Sequence, residues 1–280
     1  MSDDGARVTL RRFDGAFRLG RRPSDPSRLR TGVVVDVEAT GLDTQADTVI
    51  EFAGRPFTFD RETGEVVAVG DPVSCLQDPG IPLSPEIVEL TGLTDADLSG
   101  HALDVEAIRA LLDSADVVIA HNARYDRPMV ERAVGAMDKV WACSFAMVDW
   151  KSLGFPAAKL EILAIYHGYF YSGHRATADV DALLHLLTFG PPEAAGTYLQ
   201  RLLAAARTRV AVVSAWGASF ETKDDLKARG YRWNNAERVW WREVPMDAVE
   251  DEEKWLDASV YGGEGTPGVR PVNPFHRFRT

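Results

Sequence analysis

The chain has 280 residues, of which 45% are hydrophobic and 26% charged, with 31 Lys and Arg against 42 Asp and Glu for a formal net charge of -11. That composition excludes a disordered chain, and the acidic balance excludes holding a polyanion through bulk positive charge. No stretch approaches the roughly 18 apolar residues of a membrane span, and no basic head precedes an apolar run at the N-terminus. The two cysteines, Cys75 and Cys143, lack metal-ligand spacing and read as small apolar residues of a reducing compartment, so a cytoplasmic protein is expected.

Charge divides the chain into three. Residues 1–30 hold 8 Arg against 4 Asp, net +4; residues 31–206 hold 11 basic and 26 acidic side chains, net -15; residues 207–280 hold 12 of each. The first part, with Arg11, Arg12, Arg18, Arg21, Arg22, Arg28 and Arg30, predicts a basic arm, either a flexible leader or a phosphate contact. The acidic middle is the place to look for a cation site.

In chain order, Val33–Glu38 is a β-branched run ended by Thr40-Gly41 and predicts a central strand. Thr48–Asp60 and Glu65–Leu76 predict two more. Ser84-Pro85-Glu86 opens a short helix with a cap and a proline in the first turn. Asp104–Asp113 predicts a helix with Val105, Ile108, Leu111 and Leu112 on one face. Val117–Ala120 predicts a strand, and Ala123–Val134, Lys159–His167, Thr177–Phe189 and Thr197–Arg207 predict helices. Strands first and then mostly helices imply a mixed α/β sheet with helices on both faces. Beyond residue 207 the pattern changes to a strand at Arg209–Ala215, a short helix at Thr222–Arg229, a hairpin about Asn234-Asn235 and an amphipathic helix at Asp247–Tyr261. Five of the seven Trp fall in this small α+β region, and the Gly/Pro-rich residues 262–280 read as a loose tail.

Three groups of residues carry chemistry. Asp36 and Glu38, two apart on a strand, project from one face. Two carboxylates on an apolar central strand repel and are costly to desolvate unless a hard divalent cation joins them or the strand end reaches water. Asp126 follows His121-Asn122-Ala123-Arg124-Tyr125 in the first turn of a helix, where an acid also favours the helix dipole. His174 precedes Asp179 by five residues at the entry to another helix.

The segments VVVDVEATGLD, HNARYD and HRATAD, in that order, together with Glu89-Leu90-Thr91-Gly92-Leu93-Thr94, resemble the motifs of the DEDDh 3′–5′ exonuclease family. The resemblance spans residues 31–190 and implies a ribonuclease H-like mixed sheet flanked by helices. It implies that Asp36, Glu38, Asp126 and Asp179 ligate two Mg²⁺ or Mn²⁺ ions, and that His174 is the base that deprotonates the attacking water. Thr40 and Leu42 would lie against the 3′-terminal nucleotide, with Asn122 and Tyr125 helping to position it. Two cations can stabilise both oxygens of an in-line displacement, and they bring positive charge to an acidic domain where a phosphate must bind.

The expected organisation is an arm at 1–30, an exonuclease domain at 31–207, a Trp-rich accessory module at 208–261 and a tail at 262–280. In the module, aromatic rings interleaved with basic groups suit single-stranded nucleic acid, with Lys227, Arg232, Trp233 and Trp240 as candidate contacts; most of its Trp are also needed to fill so small a core. The partner expected is a nucleic acid with a 3′ end, DNA rather than RNA, and no membrane. An RNA-trimming exonuclease and a non-catalytic nucleic-acid-binding protein are the alternatives. There is no glutamine-led hydrophobic clamp-binding peptide of the kind a replicative proofreading subunit would carry, and the sequence names no polymerase partner.

Overall fold

The computed structural model describes residues 8–191 and 195–279. The chain divides into two units, one running to Ala206 and including Arg277 onward, the other Arg207–His276.

In the first unit the valine run lies on an 11-residue strand, Leu29–Ala39. Val49–Asp60 pairs antiparallel with one edge of it and Val117–Ala120 parallel with the other. Trp141–Cys143 extends the parallel side, while Val66–Val69 and Val73–Leu76 both pair with Val49–Asp60, completing a six-stranded mixed sheet among the described residues. Side chains alternate across the central strand. Val33, Val35 and Val37 pack with Ile108, Leu112, Met129 and Val130 of helices Val105–Asp113 and Ala123–Val134. Val34 packs on the opposite face with residues of helices Leu160–Tyr166, Ala176–Leu187 and Tyr198–Arg207. The parity that sends Val34 to that face sends Asp36 and Glu38 there as well. This is the mixed α/β sheet with flanking helices that the sequence predicts.

Several expectations change. The strand expected over Glu65–Leu76 is two strands, because Gly70-Asp71-Pro72 leaves the ladder. A one-turn helix at Asp95–Leu98, closed by a Thr94–Asp97 capping box, and the three-residue strand Trp141–Cys143 are too short to show periodicity in sequence. Residues 1–7 of the basic arm lie outside the described residues, but from Val8 on the arm is not a free leader. Arg11-Arg12 pairs with Tyr169-Phe170, and the Phe13 ring lies 4.6 Å from that of His185. Phe13 and Phe17 supply the apolar anchors that the arginine count conceals.

The second unit is an antiparallel sheet in the order Arg232–Asn234, Val239–Pro245, Val210–Ala215, Gly268–Pro271. Leu226, Tyr231, Val244 and Leu256 fill its core, with helices Lys223–Ala228 and Val249–Leu256. The expected hairpin is present, its strands joined by a four-residue loop with Arg238 in the left-handed region at φ 55°. The expected helix to Tyr261 is α-helical only to Leu256 and continues as a wider turn over Asp257–Tyr261.

The tail expected to be loose is not. Gly268–Pro271 joins the second sheet, and Phe278, only 4% exposed, packs in the first unit beside Trp141 and Val134. Arg279 Nε donates to Glu131 at 2.9 Å, and Arg127 donates to the Arg277 carbonyl at 2.7 Å. One aromatic and its flanking arginines fix the segment that Gly and Pro made look unstructured. Among the described residues no helix is long and apolar enough to cross a membrane.

Candidate active site

Asp36 and Glu38 reach the site from the central strand, and Asp179 from the first turn of Ala176–Leu187, the helix packed on that same face. One carboxylate oxygen from each of the three lies within 4.8 Å of the others. Asp126, 3% exposed, arrives from the first turn of Ala123–Val134 on the other face, and the Val37 N–H donates to it. The four carboxylates line one cavity of about 420 Å³, together with His121, Asn122, Tyr125, Phe145, Lys159, Glu161 and His174.

Buried together, these carboxyl groups are costly to ionise in the absence of a cation. Burial pushes Asp36 well above the usual carboxylate range, and Asp126, Asp179 and Glu38 push it further. Burial and then Asp179 raise Glu38 to about 8. Burial raises Asp126 to about 7 even though backbone N–H groups, including that of Val37, favour its ionised form. Asp179 is also raised by burial, with the Tyr171 hydroxyl opposing. A cluster of hard oxygen donors, costly to ionise together and close enough to share a ligand, is the donor set a divalent cation fits.

His174 faces the same cavity from a loop where its own φ is 63°, the left-handed region that side chains other than glycine rarely adopt. Its Nε2 lies 3.8 Å from Glu161 Oε1. The loop is pinned by an ion pair the sequence did not reveal: Arg175 Nη2 donates to Glu51 at 3.1 Å, and the Ala176 N–H donates to the same carboxylate at 3.1 Å. Glu51 is 2% exposed and stands directly opposite Glu38 in the sheet register. Tyr171 Oη donates to Asp179 Oδ1 at 2.9 Å, fixing that carboxylate. Tyr171, Glu161, Glu51 and Lys159 have no motif in sequence; only the nearness of Tyr171 to His174 and of Glu161 to Lys159 could have hinted at them.

Asn122 and Tyr125 line the cavity; Thr40 and Leu42 do not. The Thr40 hydroxyl donates to Asp47 at 2.9 Å and accepts from the Thr48 N–H at 3.0 Å, while Leu42 is 88% exposed. Tyr125 Oη donates to the Gly41 carbonyl at 2.7 Å, which ties the loop carrying Thr40 and Leu42 to the helix carrying Asp126. His121 is held neutral, its pKa lowered by burial to about 4. Its Nδ1 meets Ser144 Oγ at 2.7 Å and its Nε2 meets the Ala158 carbonyl at 2.7 Å. Since a carbonyl only accepts, Nε2 carries the proton and Nδ1 accepts from Ser144.

In the second unit Lys227, Trp233 and Trp240 come together, with the two indoles 5.5 Å apart and the Lys227 amine 6.0 Å from the Trp240 ring. Arg232 is not with them. It pairs with Trp241 in the register while Trp233 pairs with Trp240, so Arg232 projects from the opposite face. Trp216 and Trp233 are about half exposed, whereas Trp240, Trp241 and Trp255 are partly buried.

Known proteins resemble this chain in sequence and in fold. The model of a family described as RNase T, exonuclease, matches residues 33–187. The PolC-type DNA polymerase III of Bacillus subtilis (strain 168) is 32% identical over 194 residues, covering 66% of this chain and 12% of the polymerase. The corresponding protein of Lacticaseibacillus paracasei is 28% identical over 229 residues, covering 76% of this chain and 15% of the polymerase. The chain therefore spans only a small part of these curated relatives. The structure of exonuclease I superposes with a TM-score of 0.50 at 15% identity, covering 89% of this chain and 66% of that one, so the fold is of the same ribonuclease H-like kind.

Proposed function

The chain belongs to the RNase T exonuclease family, and from that membership and its carboxylate cluster we propose that it is a metal-dependent 3′–5′ exonuclease acting on single-stranded or frayed 3′ ends. DNA is the favoured substrate, since the relatives sharing this segment are DNA polymerases. The observation that carries the reading is the convergence of Asp36, Glu38 and Asp179 within 4.8 Å, with buried Asp126 in the same cavity.

Asp36, Glu38, Asp126 and Asp179 would hold two Mg²⁺ or Mn²⁺ ions. Bound there, such ions would supply positive charge to the scissile phosphate and to the attacking and leaving oxygens. The residues of the chain do the rest. His174 takes the proton of the attacking water through its imidazole, with Glu161 Oε1 3.8 Å from its Nε2. The Arg175–Glu51 pair holds the loop, so His174 loses little rotational freedom on binding substrate. Asn122 and Tyr125 orient the terminal nucleotide inside the cavity. Thr40 and the exposed Leu42 meet it from the adjoining loop, Leu42 presenting an apolar surface to the last base. Lys227, Trp233 and Trp240 hold single-stranded substrate in the accessory module by stacking and phosphate attraction; Arg232, on the other sheet face, does not act with them.

The test is digestion of 5′-labelled single-stranded DNA, frayed duplex and RNA of one sequence, with Mg²⁺ or Mn²⁺. Stepwise shortening from the 3′ end with DNA preferred is expected. Preference for RNA would select the RNA-trimming alternative, and binding without cleavage would select the non-catalytic one.

A further inference from the structure

A second cavity, of about 860 Å³, adjoins the catalytic one, and Phe145 lines both. Its floor is a chain of edge-on rings: Trp150 and Phe155 lie 5.6 Å apart, and Phe155 and Tyr166 lie 5.8 Å apart. The indole of Trp150 donates to the Ser144 carbonyl at 2.8 Å, which fixes the inner end of the series. Toward the opening the rings are presented rather than packed, Phe145 being 45% and Tyr166 59% exposed. The wall between the two cavities is rigid, because His121 bonds both Ser144 and the Ala158 carbonyl and meets the Phe145 ring edge-on at 5.8 Å.

The charge at this place is unlike that of its surroundings. Residues 31–206 contain three lysines, Lys139, Lys151 and Lys159, within a stretch of net charge -15. Lys139 is spent on the carbonyls of Asp113 and Ala115. The other two line these adjoining cavities, Lys159 the catalytic one and Lys151 the second. Asp149, the acid among the second cavity's lining residues, accepts from the Ser152 N–H at 3.1 Å and hydroxyl at 2.6 Å and also feels the Lys151 charge. Exposed rings with ammonium groups beside them, opening directly off a phosphodiester site, match a single strand, whose bases stack and whose phosphates need cations. Both volumes fall in the range of about 300–1,000 Å³ usual for sites holding a ligand of nucleotide size.

We propose that the second cavity is the groove for the nucleotides immediately 5′ of the scissile bond, with one base stacked on Phe145, the next on Tyr166, and Lys159 and Lys151 on the phosphates between them. The proposal rests on the exonuclease reading and adds to it the path of the strand. It makes substrate length a property of the catalytic unit itself, separate from the accessory module.

The experiment compares kcat and KM of the full chain in Mn²⁺ on the p-nitrophenyl ester of thymidine 5′-monophosphate and on oligothymidylates of two, three and four nucleotides. The variants are Tyr166→Ala, Tyr166→Phe and Lys151→Ala. Wild type should gain kcat/KM with each added nucleotide. Tyr166→Ala and Lys151→Ala should each lower kcat/KM on the tetranucleotide relative to that on the ester by about 10-fold, within the range of one base stacked on one ring, and chiefly through KM. Tyr166→Phe, which keeps the ring, should restore the wild-type profile. Equal length profiles in wild type and both alanine variants would overturn the groove, as would no length dependence in wild type, or equal losses on ester and tetranucleotide. A wild type inactive on the ester and on every oligomer would overturn the exonuclease reading, and the groove with it.

Discussion

Replacing Asp36 by Asn removes one charge from the cluster without changing its volume, and the sign of the effect on stability should depend on whether a cation is present. Two unit charges 4.8 Å apart repel by roughly 3–4 kcal/mol at an effective dielectric constant near 20. Glu38 gives an independent figure, because moving its pKa from 4.5 to about 8 amounts to ~5 kcal/mol of destabilisation once it is fully ionised. These groups have folded-state pKa values raised above their unfolded ones. Their penalty is therefore absent below about pH 4, where both states are protonated, and grows as pH rises toward 8. At pH 8.5 with a chelator, Asp36→Asn should be more stable than wild type by ~3 kcal/mol, a rise in Tm of about 6–12 °C for a domain of this size. At pH 3.5, below the unfolded pKa, the two proteins should melt nearly together.

Adding Mn²⁺ at pH 8.5 should reverse the order. A cation at 1,000 times its Kd stabilises the folded state by about 4.1 kcal/mol; wild type should gain this, more than the ~3 kcal/mol it lacks in chelator, and the variant, short of a ligand, should gain much less. Hydrolysis should fall to background in the same variant. Thermal melts at the two pH values, with chelator or Mn²⁺, check every part. An Asn variant less stable than wild type in chelator at pH 8.5, or an equal Mn²⁺ gain in both proteins, would refute the reading of these carboxylates as a repelling cluster held together by cations.

His174→Ala should lower kcat by about 10²–10⁴-fold as expected for a lost general base, while His174→Gly should be as inactive but ~1 kcal/mol more stable than the alanine protein in urea titration, since φ is 63° there. Gly32→Ala should destabilise the protein by ~1–3 kcal/mol or more in the same titration, because the new Cβ would lie 2.3 Å from the buried Phe57 ring. Phe278→Ala should cost ~3–5 kcal/mol, measured by thermal melting, because the ring is buried in the first unit; for the same reason, cutting the chain after residue 207 would damage the first unit as well as remove the second. In the full chain, Trp233→Ala with Lys227→Ala should weaken binding of long single strands in Ca²⁺ and reduce its salt dependence, with Arg232→Ala changing binding less; equal affinities in all the proteins would leave these tryptophans as packing.

The four carboxylates of the candidate site were legible because each sits where local sequence fixes its direction. Asp36 and Glu38 share a face through strand parity alone, and Asp126 and Asp179 occupy first turns of helices that their sequence pattern predicts. The central strand and the helices that carry the site were legible for the same reason, since their periodicity runs over many residues. What escaped is what depends on pairing across the fold. Glu51 and Arg175 are 124 positions apart, and nothing local to either predicts that they meet. The strand Trp141–Cys143 has three residues, too few for a period, yet it sets the position of Ser144 and hence of His121 and the wall between the cavities.

The tail shows how composition misleads when one anchor decides the outcome. Residues 262–280 are rich in Gly and Pro, and the entropy of such a segment argues for looseness. Burying one phenylalanine offsets ~2–3 kcal/mol of that entropy, and the bonds from Arg279 to Glu131 and from Arg127 to the Arg277 carbonyl add to it. Arg127 is itself fully buried, with Glu131 as its ion partner. The tail therefore helps to satisfy a buried cation on the very helix that presents Asp126, one residue earlier. Packing of residues 277–279 thus bears on the orientation of a carboxylate of the candidate site, a coupling visible only once their return to the first unit is known.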